Sequence, residues 1–368
     1  MKILIINENH HSCIGGIETY TKKLANLFTQ LGHQVSEFAF HLNPELIGEA
    51  ATNNQIINLN PLKPEQLQSR SMWQKRIAIK TGVAKILTIQ DQYDLIINQS
   101  ANVKWPKKIY QNPKWLYVQH FHPDFYKQKF IAGKFLAPII RWGMQMVGIK
   151  NPFKHFQNFV CYTQADQNRL GFKNHQTCWN IPLSAFDAKE IRAIRDTKKP
   201  NIKHQVLYVG RIDPMQKQIK KMIKFAHKLD LKINFYGTGK TALFKNNPQL
   251  YRGKLNRQDL IITLNQSKYL ILFAKQEGFS FALTEALSTG LPVIINNNSV
   301  SSQWLVKDRG FLVTNKTDLK QLQILINDER LYEQMRSNCF DFALKYLTNE
   351  HWNANWIQVL DHFDPLKP

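Results

Sequence analysis

Strand-like and helix-like stretches alternate along nearly the whole chain, and that alternation limits the possible folds more than any other feature. KILIIN (2–7) is followed by the amphipathic IETYTKKLANLFTQLG (17–32), where Gly32 suits a helix C-terminal cap. HQVSEFAF (33–40), QIINL (55–59), a helix over roughly 65–89, YDLIINQS (93–100), WLYVQH (115–120), NFVCYT (158–163), a helix from Ala165 and TCWNIP (177–182) continue the series. Short apolar strands separated by helices predict parallel sheets covered on both faces. After Pro182 the stretch LSAFDAKEIRAIRDTKKPNIKH (183–204) is polar, charged and weakly periodic, which suits a linker. A second series follows: QVLYVGRI (205–212), a helix over 214–229, LKINFYG (231–237), KYLILFA (268–274), a helix over 281–289 and LPVIIN (291–296). The expected class is therefore α/β, with two Rossmann-like domains, 1–182 and one beginning at 205, facing each other across a cleft.

Size and composition agree with this. At 368 residues, of which 43% are apolar and 11% aromatic, the chain exceeds what one core usually organises and can fill two. The four cysteines (Cys13, Cys161, Cys178 and Cys339) are widely spaced with no Cys-x-x-Cys, which reads as reduced thiols in a cytoplasmic protein. MKILIINEN suits a first strand better than a signal peptide, and no apolar run reaches the roughly 18 residues a membrane span requires.

The formal charge of +22 points to an anionic partner: nucleic acid, a membrane surface or a phosphorylated substrate. Two windows concentrate it. Between Tyr126 and His155 six Lys or Arg occur without an acid, interleaved with Phe130, Phe135, Trp142 and Phe153. Lys217, Lys220, Lys221, Lys224 and Lys228 recur at helical spacing, which equally describes a solvated helix face.

Ligands of open parallel sheets bind beyond the carboxyl ends of the strands, so the residues following strands are the candidates. After the first strand, Gly15 and Gly16 precede a helix; they suit either close backbone approach to a phosphate or a plain tight turn. After the strand at 205–210, Arg211 and Lys217 flank a Pro-containing helix start, with Lys217 expected about one turn into that helix. Two such cations can share the charge of a diphosphate, or they are unrelated surface groups. After the strand at 268–274, Glu277 lies in a loop and Glu285 just over a turn into a helix beginning near Phe281. Carboxylates repel phosphate, so these acids suit hydroxyl groups on either side of an anion held at the helix start; the alternative is a capping acid and a solvated one.

The stretch Glu277-Gly278-Phe279 through Glu285-Ala286, then Gly290, Pro292, Val293 and Ile294, resembles the signature of glycosyltransferase family 4, the retaining enzymes of the GT-B fold. Gly15-Gly16 with Glu18, LGHQV, NIPLSAFD and VGRID fall in the family's order, so the resemblance runs along nearly the whole chain. It implies that Glu277 orients the donor sugar and Glu285 binds the nucleotide ribose. It also implies that Ser280 and Phe281 at the helix start face the diphosphate, and that Arg211 and Lys217 stabilise the leaving group. Gly15, Gly16 and Gly210 would approach the donor, and His120 would lie beside the transferred sugar. The family's domains would be an acceptor-binding 1–182, a linker 183–204, a nucleotide-sugar-binding 205–346, and a final helix in 347–368 that crosses back, docking Trp352, Trp356, Leu360 and Phe363.

The implied activity is hexosyl transfer from a nucleotide-diphosphate sugar, UDP-linked by expectation, to a hydroxyl of a surface polysaccharide, wall-polymer or lipid-linked acceptor. Ser280 stands where the family frequently has Gly, and VSSQWLVKDRGFLV (300–313) lacks an acid often found early in that loop. No Asp-x-Asp occurs, so no cofactor or metal is expected, although His120, His122 and Asp124 alternate like metal ligands. The segment 126–155 could rest on an anionic leaflet at the inner face of the cell membrane, or its run at 135–149 could be an ordinary core helix. Rival classes are a basic nucleic-acid-binding protein, a nicotinamide oxidoreductase and a sugar-nucleotide-binding protein without transferase activity. The first lacks a recognisable nucleic-acid motif, so no nucleic-acid partner is expected, and the second lacks the three-glycine fingerprint.

Overall fold

The computed structural model describes residues 1–9, 16–41, 55–58, 72–100, 103, 105–120, 156–170, 175–197, 202, 204–214, 216–275, 277–296 and 302–364. Gly15, His122, Asp124 and the basic window 126–155 lie outside these residues. The chain forms two compact units, one of Met1–Ile181 with Asn355–Pro368, the other of Pro182–Ala354.

The first unit is built on a seven-stranded sheet in the order β3-β2-β1-β4-β5-β6-β7. Its strands are β1 (Lys2–Asn9), β2 (Gln34–His41), β3 (Gln55–Asn58), β4 (Leu95–Asn98), β5 (Trp115–Val118), β6 (Asn158–Cys161) and β7 (Thr177–Asn180), paired in parallel throughout. LIIN and WLYV are buried at every position, as continuous apolar runs in a sheet covered on both faces must be. The helix Gly16–Gln30 buries Tyr20, Leu24, Leu27 and Phe28, a stripe at helical spacing, and ends just before Gly32 as its sequence suggests. The returning helix Asn349–Phe363 places Trp356 edge-on to Tyr20 and Phe28, with ring centroids 6.4 and 5.7 Å away. Trp179 meets Phe363 in the same unit.

The second unit carries a five-stranded parallel sheet, β12-β11-β10-β8-β9. Its strands are β8 (His204–Val209), β9 (Ile233–Tyr236), β10 (Ser267–Leu272), β11 (Val293–Asn296) and β12 (Gly310–Val313). β10 is central, so the loop after it has strand ends on both sides. Within 183–204, expected as a linker, the structure forms the helix Ala188–Asp196. Asp187 and Glu190 close a capping box at its start, and Ile191 is buried. Its single buried side chain left little apolar pattern to read. Partners far along the chain help to hold it, Ala188 N donating to the Glu350 carboxylate and Arg195 pairing with Asp341 at 2.7 Å.

The helix expected over 214–229 begins only at Ile219, and the one expected from about 65 is described from Met72. The helices Arg257–Asn265, Leu319–Asn327 and Glu329–Tyr346 extend the pattern through stretches the sequence left unassigned. Cys161, Cys178 and Cys339 are free thiols. Among the described residues no helix is long and apolar enough to cross a membrane.

Candidate active site

Three strand ends of the second unit are stitched together by backbone hydrogen bonds. The chain leaves β8 alongside the end of β9, with Gly210 N donating to Tyr236 O at 3.1 Å and Ile212 N to Thr238 O at 2.7 Å. The approach is so close that a Cβ on Gly237, whose φ is +145°, would stand 1.8 Å from the Gly210 carbonyl oxygen. The same loop then crosses to the end of β10. Lys217 bridges antiparallel to Ala274, Gln218 N donates to Phe273 O at 2.9 Å, and Lys275 N donates to Gln216 O at 2.8 Å. This double stitching brings the region of Arg211 and Lys217 beside the loop that carries Glu277.

Lys217 is not one turn into the helix, as its spacing from Pro214 suggests; it precedes the N-cap Gln218, because its backbone is committed to the bridge with Ala274. Its ammonium forms an ion pair with the Glu277 carboxylate, and the two side chains are only 12% and 18% exposed, which removes them from the weak class of surface pairs. Arg211 is not joined to that pair. Its guanidinium donates to Gln216 Oε1 at 2.8 Å and lies 3.4 Å from Asp213 Oδ2, with 64% of the side chain exposed. Tyr208 donates its hydroxyl proton to Arg211 O at 2.8 Å, and burial first, then the nearby Glu277 charge, raises its phenol pKa, so it stays neutral.

The helix Phe281–Ser288 starts at Ser280, whose carbonyl oxygen accepts from Thr284 N and Thr284 Oγ1, both at 3.1 Å. Its far end is closed by a Schellman motif, with Gly290 N donating to Leu287 O at 3.1 Å and Leu291 N to Ala286 O at 2.8 Å. Glu285 accepts a 2.8 Å bond from Arg257 Nη1, and burial raises its carboxyl to about 7 against the opposing pull of that guanidinium. Sequence reasoning missed Arg257, which opens the helix Arg257–Asn265 behind the N-cap Asn256. The available signal was that N-cap, three residues before Asp259.

Gly16 and His120 belong to the first unit. Gly16 is the exposed first residue of its helix. His120 follows β5 and is held at both ring nitrogens, by Tyr162 Oη and by Gln99 Oε1, each at 2.6 Å. Gln99 Nε2 donates onward to Thr21 Oγ1 at 3.2 Å, which turns its oxygen toward the imidazole. The network therefore assigns the proton to Nε2, and the tyrosine hydroxyl donates to Nδ1. Burial lowers the imidazole pKa to about 3, so His120 is neutral across the working range. Asn7 Nδ2 also reaches Thr21 Oγ1, at 2.5 Å, so one polar chain links the carboxyl ends of β1, β4, β5 and β6. Among the described residues no three His, Cys, Asp or Glu side chains gather as a metal-holding group.

Residues 189–341 match the family model described as Glycosyl transferases group 1. No curated protein matches the chain. Among solved structures, the chain is similar to sucrose-phosphate synthase from Thermosynechococcus elongatus, at 16% identity and a TM-score of 0.73, with 98% of each chain covered. It is also similar to WaaG, a glycosyltransferase involved in lipopolysaccharide biosynthesis (12% identity, TM-score 0.65, 99% of this chain and 100% of that one). A third similar structure is the pneumococcal O-GlcNAc transferase GtfA in complex with UDP and GlcNAc (12% identity, TM-score 0.64, 99% of each chain). These similarities, with the two parallel-sheet units, give the fold as GT-B.

Proposed function

We propose that the protein is a retaining glycosyltransferase of family 4 type that moves a sugar from a nucleotide-diphosphate donor to a hydroxyl acceptor. The observation that carries the reading is the arrangement after β10: Glu277 paired with Lys217 and Glu285 paired with Arg257, on either side of the start of Phe281–Ser288. Two acids held separately by cations are charge-balanced before any ligand arrives, so each can accept hydroxyl donors without repelling the diphosphate from the gap between them. In this reading Glu277 orients the sugar and Glu285 the ribose. Ser280 and Phe281 offer backbone to the phosphates at the helix start, and Gly210, whose N–H is bonded to Tyr236 O, lets the donor approach the chain closely.

The C–O bond between the anomeric carbon and the diphosphate breaks while the acceptor oxygen bonds to the same face of the sugar. The acceptor's proton passes to the departing diphosphate oxygen, and Arg211 and Lys217 carry the charge that develops there. Supplying that charge from cations and the helix start fits chemistry without a metal. Gly15 and Gly16 are assigned to the donor's phosphates on the resemblance alone. The resemblance puts His120 beside the sugar; neutral and bonded at both ring nitrogens, it suits a packing surface there rather than proton transfer.

UDP is the favoured nucleotide because a similar structure binds it, and a cell-envelope acceptor is favoured because another similar structure is a glycosyltransferase involved in lipopolysaccharide biosynthesis. A cytoplasmic site, peripheral to the membrane through 126–155, would place the enzyme beside such an acceptor. The test is a thermal-shift panel of UDP, GDP, ADP and their sugar conjugates, followed by product analysis with the best stabiliser. Stabilisation and release of the free nucleoside diphosphate on transfer is the expected result. Stabilisation without turnover on any hydroxyl acceptor would favour a sugar-nucleotide-binding protein, and stabilisation by nucleic acid alone would end both.

A further inference from the structure

Arg257 makes three contacts at once. Nη1 donates to Glu285 Oε1 at 2.8 Å, Nη2 donates to Ala185 O at 2.6 Å, and the guanidinium carbon lies 4.2 Å from the centroid of the Phe186 ring. A guanidinium fork can bond an acid and a carbonyl in fixed geometry, which an ammonium cannot reproduce. Among the described residues Arg257 is the charged group that faces the Glu285 carboxylate.

The other end of the fork reaches a distinctive stretch of chain. Ala185 and Phe186 follow the point, after Ile181, where the chain passes from the first unit into the second; it passes back after Ala354. Inside the second unit these two passages are tied to each other. Phe186 bridges parallel to Thr348, Asn349 N donates to Phe186 O at 2.9 Å, and Ala188 N donates to both Glu350 carboxylate oxygens at 3.1 and 3.0 Å. Asn349 Nδ2 also donates to Asp187 Oδ1 at 2.6 Å. A single guanidinium therefore joins the Glu285 carboxylate to the paired strands of chain that connect the units.

We propose that Arg257 is a positioning residue. It aims the Glu285 carboxylate at the nucleotide ribose, and it transmits occupancy of that carboxylate to the paired passages 183–188 and 348–352. The proposal rests on the ribose role given to Glu285 above. When ribose hydroxyls donate to Glu285, the charge density on Oε1 changes, and with it the bond to Nη1; the same planar group holds Ala185 O, so the adjustment reaches the passages directly. Phe186 beneath the guanidinium keeps its plane from swinging into solvent.

The test uses the full chain with UDP as the probe, in the wild type, Arg257→Gln and Arg257→Lys. Titration between pH 5.5 and 8.5 should show wild-type affinity falling on the acid side of about 7, where the Glu285 carboxylate takes up its proton. In Arg257→Gln affinity at pH 7 should drop about tenfold, the midpoint should move to higher pH, and turnover at saturating donor should stay within about threefold. Arg257→Lys should recover the midpoint. By amide hydrogen exchange, UDP should slow 183–188 and 348–352 in the wild type but not in either variant. Wild-type affinity and midpoint in Arg257→Gln overturn the positioning role. Unchanged exchange in the wild type, or slowing retained in Arg257→Gln, overturns the transmission. If the wild type binds neither UDP, GDP nor ADP, the functional reading itself falls and this inference with it.

Discussion

Glu285 carries its charge in a place that water scarcely reaches, and the pH dependence of stability should show it. Its folded pKa of about 7 lies above the ordinary 4.5, so between these values the folded chain keeps a proton that the unfolded chain has lost. Stability contributed at this position is thus present at acid pH and lost as pH rises from 4.5 toward 7, by on the order of 3 kcal/mol. Glu285→Gln should raise the unfolding temperature at pH 8 and change it little at pH 4.5, and it should weaken nucleotide binding at pH 8 but little at pH 4.5, where the wild-type carboxyl is already protonated. Parallel stability profiles for variant and wild type across that range would refute the burial argument.

Lys217 tests the chemistry in a different way. Lys217→Ala should lower turnover by about a hundredfold while the donor KM stays within about threefold, because the ammonium acts on charge that appears only in the transition state. Because Glu277 is sheltered and would be left unpaired, the variant's thermal stability should be recorded alongside; Lys217→Arg restores the pairing but not the point charge. Transfer at the wild-type rate by Lys217→Ala would remove the leaving-group assignment.

The helix Phe281–Ser288 shows how an element can be read from its punctuation. The spacing of Glu277, Glu285 and Gly290 marks a loop, a short helix and a stop, and the structure delivers these in that order. Gly290 is required on two counts. Its φ is +70°, and a Cβ there would lie 2.2 Å from the Phe340 ring of the helix Glu329–Tyr346. Gly290→Ala should therefore destabilise by about 2–4 kcal/mol in urea unfolding, combining left-handed strain with overpacking against a buried ring. A loss under about 1 kcal/mol would mean that Phe340 gives way freely. The sequence identified that glycine as part of a motif, but it gave no sign that a helix some fifty residues downstream packs against it.

At the scale of the molecule, the last helix decides how the chain is divided, since residues from Asn355 belong to the first unit. Trp356 is fully buried there against Tyr20 and Phe28. Trp356→Ala should cost the first unit about 3–5 kcal/mol, giving an early transition in calorimetry while the second unit melts as in the wild type. One cooperative transition shifted as a whole would show that the two units do not unfold separately.

Much of this was written in local pattern: apolar runs named the strands, the 3.6-residue stripe of Tyr20, Leu24, Leu27 and Phe28 named a helix, and Glu277, Glu285 and Gly290 marked the loop, helix and stop. Those properties depend on neighbours a few residues away, which a sequence displays directly. The start of the helix after Lys217, the helix inside 183–204 and the partners of the two acids depended on contacts across 28 to 162 residues. Lys217 meets Glu277 through a bridge to the next-but-one strand end, and Arg257 meets Glu285 and Ala185 from a helix that carries no motif. Which cation neutralises which acid is a matter of distance and shelter from water, and only the folded chain sets those.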